Sequence, residues 1–64
     1  MNDITERLAV MLRAVTDELA EEIQARYDGT NEHYPSEARR FERDMTSVYE
    51  ARLLLANYRA RVQP

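Results

Sequence analysis

The chain has 64 residues, twelve acids against nine bases, and no cysteine. That length holds one small domain, which buries too little surface to be robust alone. The absence of cysteine excludes a disulfide staple or a thiolate metal site. A single histidine cannot build a zinc site by itself.

A net charge of −3 argues against a nucleic-acid binder, which normally carries a basic footprint. All nine basic residues are arginine, and with many alanines this points weakly to a GC-rich bacterial genome. No apolar run is long enough to span a bilayer. Met1-Asn2-Asp3 leads into acids rather than a basic segment and an apolar block, so no signal peptide is expected. The expected setting is therefore the cytoplasm.

The first periodic segment runs from about residue 4 to 27. Asp3 is placed to cap it, with Glu6 three residues on in a capping-box arrangement. Ile4, Leu8, Met11, Val15, Leu19, Ile23 and Tyr27 recur at steps of three and four, a helical stripe. The sequence predicts that this stripe faces the second helix. Asp17, Glu18, Glu21 and Glu22 lie off it.

"DGTNEHYP" is the single break, giving a loop over about 28–34. Gly29 suits the left-handed residue after a helix C-terminus. Pro35 suits the first turn of a new helix and biases Tyr34 toward extended backbone. So short a connection predicts two helices side by side and antiparallel.

The second helix is expected over about 35–61. Its seam stripe is Ala38, Phe41, Met45, Val48 or Tyr49, and Leu55 or Ala56. Ala51, Leu54, Tyr58 and Val62 fall on another flank, with Leu55 at its border. Two helices share one seam, so that flank predicts a docking surface for another protein or a second copy. Tyr49 and Tyr58 suit an interface, bringing area and a hydroxyl at low entropy cost.

Residues 1–33 carry three arginines and eight acids, and residues 34–64 carry six arginines and four acids. Folding about the loop is expected to set Asp17, Glu18, Glu21 and Glu22 level with Arg39, Arg40 and Arg43. Each exposed pair would contribute only about 0–1 kcal/mol.

Chemistry is not signalled. A di-metal bundle needs inward glutamates and Glu-x-x-His pairs, but Glu32 directly precedes His33. The acids of "DELAEE" therefore read as a solvated face, and His33 as a loop residue. No phosphate loop and no nucleophile motif is present. Arg59 and Arg61 could touch phosphate, but they also complement the C-terminal helix dipole. The expectation is no catalysis, no cofactor and no metal.

The second helix, "RRFERDMTSVYEARLLLANYRARV", has an aromatic near its start, a polar-acidic middle, and a small-aliphatic run ending near an aromatic. Phe41, Glu50-Ala51, Leu53-Leu54-Leu55 and Tyr58 follow that order. With "ITERLAVMLRAVTDELAEEI" and the glycine-containing loop, it resembles the YscE-like small co-chaperones of type III secretion systems, short helical hairpins of this length. The resemblance covers nearly the whole chain but has no invariant motif. It implies a module that binds and stabilises a tetratricopeptide-like partner chaperone, which with it keeps the needle subunit soluble in the cytoplasm. Ala51, Leu54, Leu55, Tyr58 and Val62 would then be the partner-binding residues. The alternatives are a self-associating hairpin with a structural or regulatory role, including a homodimer when isolated, and a small nucleic-acid-associated or inhibitor protein.

Overall fold

In a computed structural model of the chain, residues 3–28 and 35–62 are described. The fold is all-α: α1 spans Asp3–Arg26 and α2 spans Pro35–Val62. The expected boundaries differ from these by one residue at each end except Pro35, which opens α2 as anticipated. Gly29, Glu32, His33 and Tyr34, on which the reading of the loop turned, lie outside the described residues.

The helices pack antiparallel. Tyr27 at the end of α1 reaches Asp44 early in α2, Asp17 reaches Arg52, and Glu6 reaches Tyr58 and Arg59 near the end of α2. Twenty-four residues at about 1.5 Å each make α1 about 36 Å long, so the seam is long and thin.

The core is concentrated toward the loop end. Ala20, Ile23 and Tyr27 of α1 close over Met45 and Val48 of α2. Met45 is 2% exposed and Val48 fully buried, so of the pair Val48 or Tyr49 it is Val48 that faces α1. Phe41 is half-buried at the edge of this cluster. Its ring meets that of Tyr27 edge-on, with centroids 5.8 Å apart and an interplanar angle of 82°. Met45 and Phe41 thus both belong to the seam, as expected. Farther along, Leu55 is half-buried while Ala56 is exposed.

The stripe on α1 is where the structure departs from expectation. Of its seven residues only Ile23 and Tyr27 are buried, and Ile4, Leu8, Met11, Val15 and Leu19 all stay exposed. The face toward α2 is instead Ala9, Thr16, Ala20, Ile23 and Tyr27. The reason is steric. Small side chains let two helix backbones approach, and the large side chains of α2 fill the space between them. Ile4, Leu8, Met11, Val15 and Leu19 are turned about a third of a circumference away.

The charge register also differs. Among the described residues, of the acids Asp17, Glu18, Glu21 and Glu22 only Asp17 pairs across the seam, and its partner is Arg52 at 3.4 Å. Glu22 pairs with Arg26 on its own helix, Arg40 with Glu37, and Arg43 with Asp44. Tyr27, one residue past α1, packs against Phe41, about two turns into α2. Arg39, Arg40 and Arg43 therefore stand near or beyond the end of α1, past the acidic cluster.

Candidate functional site

The surface that stands out is one flank of the hairpin. On α1 it carries Ile4, Leu8, Met11, Leu12, Val15 and Leu19, a continuous apolar ridge of about four turns. On α2 it carries Leu54. Leu8 and Leu54 are each 64% exposed. Between the helices, Leu8, Ala9 and Leu12 meet Leu54, Leu55 and Tyr58 around an open groove of about 210 Å³. A second shallow apolar depression of about 260 Å³ lies on α1 alone, between Ile4, Leu8 and Met11, with Arg7 at its rim.

The five sequence-derived residues divide. Leu54 lies fully on this flank. Ala51, Leu55, Tyr58 and Val62 are half-buried, and α1 meets Leu55 and Tyr58 across the groove. The expectation that the hairpin leaves this whole set uncovered is corrected to that extent. Tyr58 donates its hydroxyl to Glu6 Oε1 at 3.1 Å, which ties it to α1. Tyr49 is exposed on the back of α2, away from the groove.

Glu6 is turned across the seam and not back onto its own first turn as a capping box would have it. Its second oxygen accepts from Arg59 Nη1 at 2.7 Å. The Arg59 guanidinium holds the Glu6 carboxyl below its ordinary value, and the Tyr58 hydroxyl adds to this. Burial, then Glu6, pushes the Tyr58 hydroxyl up. At the loop end the pattern repeats. Tyr27 donates to Asp44 Oδ2 at 2.7 Å, which lowers the Asp44 carboxyl and raises the Tyr27 hydroxyl. These two Tyr–carboxylate clamps fix the ends of the seam.

The opposite flank is polar. Arg13, Asp17, Arg52 and Arg59 surround a cleft of about 290 Å³ floored by Leu55 and Ala56. Each of its guanidiniums has a carboxylate neighbour: Asp17 takes Arg52 at 3.4 Å and, more loosely, Arg13 at 4.0 Å, while Arg59 is held by Glu6. Among the described residues no group of three His, Cys, Asp or Glu is placed to hold a metal ion. No described helix is long and apolar enough to cross a membrane.

Sequence reasoning missed the α1 half of the flank because it assigned those residues to the seam. The usable signal was Ala9, Thr16, Ala20, Ile23 and Tyr27, whose steps of seven, four, three and four mark a second helical stripe. No protein-family model, curated protein or solved structure matches this chain.

Proposed function

We propose that this chain is a non-catalytic binding module that works by burying its apolar flank against another protein. The observation that carries the reading is the ridge Ile4–Leu8–Met11–Val15–Leu19, continued by Leu54 on α2. A chain this small gains little stability from exposing large apolar side chains, and a contiguous exposed patch is the mark of an interaction surface. Burying one leucine there contributes about 1.5–3 kcal/mol.

The specific form we propose is the one the family resemblance implies: a cytoplasmic co-chaperone of type III secretion that stabilises a tetratricopeptide-like chaperone, and through it a needle subunit. Superhelical arrays of helix pairs present concave apolar surfaces, which suit a two-helix ridge. Leu54, Leu55 and Tyr58 are kept as contact residues, joined now by Leu8 and Leu12. The test is co-expression with a tetratricopeptide-like chaperone and a needle subunit of type III secretion, followed by co-purification. Stoichiometric capture by the native chain, lost in Leu8→Glu with Leu54→Glu, is the expected result. Failure of the native chain to bind either product overturns the co-chaperone reading.

A further inference from the structure

We propose that the cleft between Arg13, Arg52 and Arg59 binds a small oxyanion, a phosphate group that is free or carried by a small molecule, and that the bound anion ties the open half of the hairpin together. This site lies apart from the apolar flank and does not depend on what that flank docks.

The seam itself singles out these arginines. Along α2, Phe41, Met45, Val48, Arg52, Leu55 and Arg59 follow one another at alternating steps of four and three. Along α1, Arg13 falls between Ala9 and Thr16 in the same alternation, which continues through Ala20, Ile23 and Tyr27. All three arginines thus hold seam positions that, at the loop end, carry buried apolar side chains such as Ile23, Met45 and Val48. Asp17 is level with Arg52 and Glu6 with Arg59, so Arg13 stands between the two arginines of α2. Apolar side chains at these positions would close the seam. With three guanidiniums it stands open as a cleft of about 290 Å³ over Leu55 and Ala56. Charge where the packing pattern calls for apolar side chains is the local departure expected at a functional site.

The carboxylates nearby leave these groups undersatisfied. Among the described residues that line the cleft, three arginines face one acid, Asp17. Its oxygens lie 3.4 Å from Arg52 Nη2 and 4.0 Å from Arg13 Nε, both beyond the about 2.7–2.9 Å of a charge-assisted hydrogen bond. Arg59 is held closely, by Glu6 at 2.7 Å, through one of its N–H donors. With Glu6 counted, three guanidiniums have two carboxylates, and one positive charge is left over in a chain of net charge −3. A phosphate group carries about −1.5 to −2 at neutral pH and offers three strong acceptor oxygens, which guanidinium forks match. The cleft volume is that of roughly ten waters, enough for a phosphate group and a short organic stem above Leu55.

The experiment titrates inorganic phosphate into the full chain near neutral pH, replacing chloride at constant ionic strength. Binding is read by phosphorus NMR and by thermal unfolding in circular dichroism. Saturable binding at one site per chain, with a melting temperature that rises to a plateau, is the expected result. Arg13→Gln and Arg52→Gln should each weaken binding about tenfold. Asp17→Asn removes a competing carboxylate and should tighten binding by about two- to fivefold. The Arg13 side chain is 75% exposed and only loosely paired, so its variant should keep native helicity, and lost binding there is not lost folding. Glycerol phosphate, titrated beside inorganic phosphate, separates the two sources: tighter binding assigns the ester, weaker binding the free ion. Phosphate also stabilises folded proteins by exclusion from their surface. A rise in melting temperature that never saturates, or that Arg13→Gln shows in full, therefore overturns the site. So does an Asp17→Asn variant that binds phosphate more weakly than the native chain.

Discussion

At the scale of single residues, stability rests on a few side chains whose roles differ. Met45 is enclosed by Ile23, Tyr27 and Ala20, and its truncation leaves a cavity that so thin a core cannot close. Met45→Ala is expected to cost about 2–5 kcal/mol. Phe41, half-buried at the rim, should cost less than the about 3–5 kcal/mol of a fully enclosed phenylalanine. Urea titrations of the two variants at one protein concentration check the order; a larger loss for Phe41→Ala would move the centre of the core.

The two clamps set the response to pH. The Glu6 and Asp44 carboxyls titrate below their ordinary values of 4.5 and 3.8 in the folded chain. Their stabilisation is present above those values and is lost as pH falls through the lowered ones. The Tyr27 and Tyr58 hydroxyls titrate above 10.0, so their contribution is present below that value and is lost as pH rises through the raised ones. The melting temperature should therefore be flat between about pH 5 and 9 and fall on both sides. Glu6→Gln with Asp44→Asn should flatten the acid limb. An unchanged acid limb would mean that the clamps contribute nothing to folding.

At the scale of the element, α1 carries two stripes with different duties. The inner one, Ala9, Thr16 and Ala20, sets how closely the helices approach; the outer one, from Leu8 to Leu19, stays exposed on the flank. Ala20→Leu should overpack the seam and cost about 1–3 kcal/mol. Leu8→Gln, on the outer stripe, should change the stability of the isolated hairpin by no more than about 0.5 kcal/mol. Chemical denaturation at low concentration separates the two, and equal losses would merge the stripes.

This duality explains what could be read in advance. The helices and their ends were legible, because periodicity and Pro35 act locally. Met45 and Phe41 were legible because α2 has one dominant stripe of large residues. The face of α1 was not, because hydrophobicity alone ranks leucine above alanine. Close approach of two backbones rewards the small residue instead. The charge register was misjudged for a related reason: the first turns of α2 precede the point where Phe41 meets Tyr27 at the end of α1, an offset that neither helix sequence announces.

At the scale of the whole molecule, the main buried cluster among the described residues, the five Ala20, Ile23, Tyr27, Met45 and Val48, lies at one end of a long hairpin. Toward the open end, the seam holds Ala9 and the Glu6 clamp, while Ile4, Leu8 and Met11 stay exposed on the flank beside it. That half of α1 has the larger apolar area outside the fold than inside it. Covering it by association should order the open end, and folding and association should then be coupled. A species that binds only the folded state raises apparent stability by mass action, so the melting temperature should climb with protein concentration. Each hundredfold rise in a species that binds the folded chain is worth about 2.7 kcal/mol once it is saturating. In a domain of this size about 1 kcal/mol moves the midpoint by roughly 4–8 °C, which is readily measured. Leu8→Glu with Leu54→Glu puts two charges into the contact and leaves the five core residues untouched. Its melting temperature should be independent of concentration and equal to that of the native chain at high dilution. Hydrogen exchange should show why: in the native chain, amides of the first three turns of α1 should gain protection as concentration rises, while those around Ile23 do not. If the native melting temperature is constant over a hundredfold range of concentration, the open end is stable without cover, and folding is not linked to what the flank binds.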